Sequence, residues 1–218
     1  MKLITISYGL RTHKIMVAAR YAGVDLTVEE FFPRGQPEDV VAEFKKKNPN
    51  GLIPVLETPE GYLYESNAIL RYIARHNENS KLYGSTDFER ALVDQYVDWV
   101  ALYLEPAAGP VLRTYLGYVP YEKASFEKAL EELKKALRVL DDRVKQSKYL
   151  AGETLTIADI AVVTGLSFFF RYVLDEKTRK PFHNLTKYYE TVANEENFKQ
   201  VLGKPVLAKT ALQPTGSQ

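Results

Sequence analysis

The sequence has no cysteine. That excludes disulfides, thiolate metal sites and a cysteine nucleophile together, so any thiol chemistry must use a thiol that a ligand brings. An excess of either charge is also missing. With 29 basic and 28 acidic side chains and a net charge of +1, there is no electrostatic reason to expect direct nucleic-acid binding. No stretch approaches the roughly 18 uninterrupted apolar residues of a membrane span, and Met1–Ile6 is too short for the apolar core of a secretory signal. The expectation is a cytoplasmic protein with no metal site, no membrane segment and no direct nucleic-acid contact.

What is present is an ordinary globular composition, 45% hydrophobic and 26% charged over 218 residues, long enough for two small domains that each bury a core. Leu3 to Ser7 alternates as a strand does before the turn at Tyr8–Gly9. Arg11 to Tyr21 then carries Ile15, Met16, Ala18 and Ala19 at helical spacing, with Gly23 as its stop. Val24 to Phe32 reads as a second strand and 33–37 as a loop, and Glu38 to Lys47 reads as a short helix ending at Asn48–Gly51. Leu52–Glu57 and Tyr62–Tyr64 flank a turn and predict a hairpin, and a helix follows behind a Ser66 or Asn67 cap. The order is β-α-β-α-β-β-α.

After Ser80 every long segment reads helical: Phe88 to Leu104, Ser125 to Lys145, Thr156 to Leu174 and Asn184 to Ala193, with breaks at Pro106, Gly109–Pro110, Gly117, Pro120, Gly152 and Pro181. The predicted division is an α/β domain at 1–80, a linker at 81–87, a helical domain at 88–204 and a flexible tail at 205–218. Thr156 with Asp159 forms a capping box at the head of an apolar helix, which assigns Asp159 a structural role rather than an acid–base one.

The most informative segments are Asn48-Pro49-Asn50-Gly51-Leu52-Ile53-Pro54-Val55-Leu56 and Glu65-Ser66-Asn67-Ala68-Ile69. This pair resembles the glutathione-binding signature of the cytosolic glutathione transferases. The resemblance implies a thioredoxin-like N-terminal domain followed by an all-helical domain, with a cis bond before Pro54. Such a bond turns the N–H and C=O of Ile53 outward, free to pair with a peptide as an added strand would. Glu65 and Ser66 at a strand-to-helix junction suit the two ends of a γ-glutamyl group, ammonium on the carboxylate and carboxylate on the hydroxyl and helix terminus. Read alone, Ser66 could simply cap its helix and Glu65 could be a solvated charge.

Catalysis in this family means lowering the pKa of the bound thiol with a hydroxyl or thiol just after the first strand. Tyr8 ranks first here and Ser7 second, with Thr12 in the same region and Arg11 adding positive potential; Tyr8 packing at a domain interface is the competing reading. Lys47 or His13 is expected to meet the glycine carboxylate, although the Lys45–Lys47 run also reads as a solvated helix face. Tyr103, Ala107, Val111 and Tyr115 are expected to wall an electrophile pocket, and they fit core positions almost as well.

The stretches Glu57–Gly61, Glu65–Ile69, Leu116–Tyr121 and Asn197–Gly203 are similar to the gamma-subunit family of translation elongation factor 1B. That similarity implies a scaffold in the nucleotide-exchange complex of protein synthesis, holding the exchange-factor subunit and binding glutathione, with possible conjugating activity. The alternative is a free-standing cytosolic glutathione S-transferase acting in detoxification. The resemblance also implies a homodimer formed through the Tyr62–Tyr64 hairpin and the helix that carries Trp99.

Overall fold

The computed structural model describes residues 1–214. Its N-terminal part follows the predicted order: β1 (Lys2–Thr5), α1 (Leu10–Ala22), β2 (Thr27–Glu30), α2 (Glu38–Lys45), β3 (Val55–Thr58), β4 (Gly61–Tyr64) and α3 (Ser66–His76). The four strands lie in the order β2-β1-β3-β4, with β1 parallel to β2 and the other pairs antiparallel. Successive strand residues face opposite sides of a sheet, and the core divides accordingly. Leu3 and Leu56 point toward α1 and α3, while Ile4 and Val55 join Phe44 of α2 in a smaller cluster on the other face. Gly23, at φ 66°, ends α1 as expected, with the Val24 N–H donating to the Ala19 carbonyl.

The helical part comprises α4 (Asp87–Trp99), α5 (Glu105–Tyr115), α6 (Lys123–Val144), α7 (Ile157–Tyr172), α8 (Glu176–Arg179), α9 (His183–Ala193) and α10 (Glu196–Leu202). Helix α7 lies at its centre, packed against α1, α4 and α9. One apolar cluster runs from Leu3 and Ile15 through Val97 and Val163 to Phe198, so the two parts share a continuous core. Among the described residues no helix is long and apolar enough to cross a membrane.

Three expectations need correction. Pro106 and Pro110 do not break the helix that begins at Asp87. A wide π-type turn over Val100–Leu104, in which the Glu105 N–H reaches the Val100 carbonyl, joins α4 to α5. Widening the turn just before Pro106 accommodates that ring and its missing N–H group, while Pro110 lies inside α5. Neither Ser66 nor Asn67 caps α3; Glu65 holds the N-cap position, with no side-chain cap, and Ser66 is the first helical residue. Nor is the chain after α10 loose over 205–214. The Ala208 N–H donates to the Phe170 carbonyl, the Leu212 N–H to that of Tyr172, and the Tyr115 hydroxyl to that of Leu212. The rest of the expected tail, 215–218, lies outside the described residues.

Asp159 has the structural role its spacing predicts. Fully buried, it accepts from the Leu150 N–H (2.8 Å), the Thr156 N–H (2.8 Å) and hydroxyl (3.1 Å), and the Tyr188 hydroxyl (2.6 Å). It therefore ties the loop before α7, the head of α7 and α9 into one knot. Asp159→Ala would leave two buried N–H groups and a buried phenol without acceptors, so unfolding in urea should show a loss of roughly 3–5 kcal/mol. A loss below about 1 kcal/mol would mean that those donors find other partners.

Candidate functional site

The segment before β3 is shaped by a buried side chain. Asn48 donates from Nδ2 to the Leu52 carbonyl (2.7 Å) and accepts the Asn50 N–H on Oδ1 (3.0 Å), while its own carbonyl takes the Gly51 N–H (2.8 Å). Gly51 sits at φ +65°, in the left-handed region that glycine tolerates. The chain then enters the cis Ile53–Pro54 bond, with Pro54 buried and the Ile53 side chain packed on the Ile4–Phe44–Val55 cluster. Neither the N–H nor the C=O of Ile53 has a hydrogen-bond partner among the described residues.

The second motif is brought to the same corner by strand register. Val55 pairs with Tyr64 in the β3–β4 ladder, so the next residues outward, Pro54 and Glu65, stand opposite one another. Glu65 turns the chain at φ 67°, one of two non-glycine residues in that region among the described ones, and is exposed. The N–H groups of Ser66 and Asn67 at the start of α3 have no partner among the described residues, which leaves a helix terminus able to take an anion. An exposed carboxylate, a hydroxyl and free main-chain groups thus converge on one surface.

Behind this corner lies a polar cluster that the sequence reading missed. Lys14 is 3% exposed; its Nζ donates to Asn67 Oδ1 (2.6 Å) and lies 3.7 Å from Glu105 Oε1. Asn67 Nδ2 donates to the Val97 carbonyl (3.3 Å), and the other Glu105 oxygen accepts from Arg11 (2.7 Å). Nearby, Arg71 pairs with Asp94 and Asp98 of α4. Burial is the chief cause that pulls the Lys14 amine down to about 8, against the pull of Glu105. The available signal was a lysine inside the apolar period of α1.

The remaining predicted residues fall in different surroundings. Ser7 is exposed, its N–H donating to Glu30 Oε1 (3.1 Å), and its hydroxyl has no partner among the described residues. Thr12 is buried and bonded to the Thr5 hydroxyl (2.7 Å), which removes it as a thiol partner. Tyr8 is 74% exposed; together with His13 it lines a cavity against α7, α9 and the chain after α10, where the N-terminal part meets the helical part. Arg11 has its charge taken up by Glu105, and Lys47 lies over the Tyr62 ring at 5.4 Å. The row Tyr103, Ala107, Val111 and Tyr115 does not form one wall. Its face passes from solvent into the core, because Tyr103 is exposed and stacked on Trp99, Ala107 is half-buried and Val111 is fully buried. Tyr115 packs on Phe126 and Phe168, and burial pushes its hydroxyl up to about 12. Among the described residues no group of acidic, histidine or cysteine side chains could hold a metal ion.

Two family models match this arrangement: the glutathione S-transferase N-terminal domain over residues 1–75 and the C-terminal domain over 93–196. The chain belongs to the glutathione transferase family. Probable elongation factor 1-gamma 1 of Arabidopsis thaliana is 37% identical over 212 residues, covering 92% of this chain and 50% of that protein. The chain spans about half the length of the curated relatives it matches. In fold it is similar to a theta class glutathione S-transferase of Xanthomonas axonopodis pv. citri with glutathione bound (TM-score 0.82, 24% identity, 96% of this chain and 98% of that one). It is also similar to the glutathione-transferase-like domain of elongation factor 1-gamma from Saccharomyces cerevisiae (TM-score 0.80, 20% identity, 98% and 97%).

The Lys14 cluster of this transferase-family chain yields a pH test. An amine whose folded pKa lies below its unfolded one binds fewer protons when folded, so stability rises with pH between the two values. From the ordinary 10.5 to about 8, the penalty is fully present below about pH 8 and is relieved toward pH 10.5. Measured by urea unfolding, wild type should gain roughly 3 kcal/mol relative to Lys14→Met between pH 7 and 10.5. A flat difference would contradict the burial of a charged amine.

Proposed function

We propose that the chain is the glutathione-transferase-like part of an elongation factor 1-gamma, binding glutathione and serving as a scaffold in the translation-elongation complex. The observation that carries this reading is identity of 37% to an elongation factor 1-gamma along 92% of the chain. It is supported by a corner in which the free main chain of Ile53 stands beside Glu65 and Ser66. In this reading the cysteinyl backbone of glutathione pairs with Ile53 as a short added strand, and the γ-glutamyl ammonium and carboxylate meet Glu65 and the Ser66 end of α3. The division after Ser80, a homodimer built on the Tyr62–Tyr64 hairpin and the Trp99 helix, cytoplasmic residence and capture of the exchange-factor subunit belong to the same reading.

A free-standing transferase is favoured by one observation, the exposed and unengaged Ser7 hydroxyl. With Thr12 bonded to Thr5 and Tyr8 lining a separate cavity, Ser7 is the hydroxyl left to polarise a bound thiol. Arg11 and Lys14 add little, since both charges are directed to Glu105. Binding is thus expected to exceed catalysis.

Wild type should be retained on glutathione resin, and Glu65→Gln should weaken glutathione binding about tenfold or more, as loss of a charge-assisted hydrogen bond does. Turnover of chlorodinitrobenzene should be slow, lost in Ser7→Ala and unchanged in Tyr8→Phe. Failure of wild type to bind glutathione would overturn the binding assignment. Failure of the protein to retain the exchange-factor subunit in a pull-down would overturn the scaffold assignment.

A further inference from the structure

The solvent side of α9 meets α8 across an open groove of about 840 Å³. Helix α9 is two-faced. Leu185, Tyr188, Tyr189 and Val192 are buried, while His183, Thr186, Lys187 and Glu190, spaced three, four and seven residues on from the first, share the face that lines the groove. The facing wall is held by main-chain contacts. Arg179 donates to the Leu174 carbonyl and to the Ala208 carbonyl (2.6 Å), and Arg138 of α6 donates to the Pro181 carbonyl (2.7 Å). Because the Ala208 N–H is itself bonded to the Phe170 carbonyl (2.8 Å), Lys209 reaches the groove on an anchored stretch of chain.

Five permanent cations line the groove, Lys177, Arg179, Lys180, Lys187 and Lys209, against the carboxylates of Asp175, Glu176 and Glu190. That excess of two positive charges is larger than the net +1 of the whole chain. None of the five forms a salt bridge among the described residues, whereas on other helices Lys134 pairs with Glu131 and Lys199 with Glu196. Asp175 is engaged elsewhere, since its carboxylate accepts the Thr178 N–H (2.8 Å) as the cap of α8. Exposed lysines are common on protein surfaces. Here three separate segments, α8, α9 and the chain after α10, gather them around one concavity whose walls are already fixed, so little ordering is needed for a ligand to meet them together.

We propose that this groove docks an acidic peptide segment of another chain, with glutamate or aspartate side chains along the segment meeting Lys177, Lys180, Lys187 and Lys209. A nucleic-acid strand fits it less well. No tyrosine, phenylalanine or tryptophan lines the groove to stack a base, and Glu176 and Glu190 repel a continuous row of phosphates. A peptide instead brings main-chain N–H groups between its carboxylates, and these can donate to Glu176 and Glu190. Ile53, Glu65 and Ser66 are not among the lining residues, so the docking rests on neither the glutathione nor the scaffold reading.

The test uses the whole chain and a fluorescent hexaglutamate peptide, with hexaglutamine as its uncharged counterpart and hexauridylate as a nucleic acid of similar charge. Anisotropy should show saturable binding of one hexaglutamate per chain, at least about tenfold tighter than either control. Binding should weaken as salt is added and stay unchanged in saturating glutathione. Lys180→Glu combined with Lys187→Glu should weaken it at least about tenfold, because like charges then face one another. Both positions are exposed, so the fold is retained. Lys123→Glu combined with Lys128→Glu changes the net charge equally, at exposed positions on the far end of α6 from its contact with α9 at Asp141. That variant should bind within about twofold of wild type. Absence of saturable binding, affinity for hexaglutamine or hexauridylate equal to or above that for hexaglutamate, insensitivity to salt, displacement by glutathione, or equal loss in the two charge-reversed variants would each overturn the proposal.

Discussion

The corner at Ile53 depends on a cation that has almost no access to water. Lys14 is carried on α1, yet its partners are Asn67 at the head of α3 and Glu105 at the head of α5. A buried ammonium is tolerated only where its donors are satisfied and a counter-charge is near, so these three elements are held in one relative arrangement. Asn67 extends the constraint by donating to the Val97 carbonyl of α4. Since Asn67 directly follows Ser66, the place of the free helix terminus is fixed by the same contact that compensates Lys14. Packing of the N-terminal sheet on the helical part and the geometry of the corner are therefore one problem with one solution.

That solution also sorts the chemistry on α1. Residues one apart on a helix differ by about 100° in direction, so neighbours in sequence serve different surroundings. Position 14 faces α3 and α5; position 13 faces α7 and the chain after α10. Arg11 and His13, both expected at a glutathione site, thus stand in different surroundings, Arg11 on Glu105 and His13 beside α7. The helix acts as a partition, with ion pairs on its front flank and aromatic rings behind, and each set is completed by elements more than fifty residues away.

What could be read from the sequence was local. The alternation of Leu3 and Ile4, the stop at Gly23, the hairpin around Thr58–Gly61 and the Thr156–Asp159 box are short-range patterns, and the structure contains each of them. What could not be read was set by distant partners. Pro106 signals a break unless the turn before it widens, and that widening has no residue signature of its own. Val111 looked like a pocket residue beside Tyr103 and Ala107 because helical spacing gives a face but not what covers that face. Glu65 rather than Ser66 at the cap position follows from where β4 ends. That point is set by its pairing with β3.

If the Ile53 corner recognises a ligand as proposed, its being built largely from main chain would separate binding from catalysis. The free N–H and C=O of Ile53 and the N–H groups at the start of α3 belong to the backbone, and any sequence that keeps the Asn48 loop, the register of β3 and β4 and the Lys14 contact presents them. In the proposed reading, activation of a thiol would instead rest on one hydroxyl in a short exposed segment. Here Thr12 has turned inward to Thr5, Tyr8 lines a separate cavity, and Ser7 alone stands free. The constraint that preserves binding is distributed over the core, where substitutions carry large stability penalties. The proposed catalytic hydroxyl occupies one surface position, where substitutions carry almost none. A fold of this kind can lose turnover without losing its ligand, and its two faces along α1 can then diverge under separate demands.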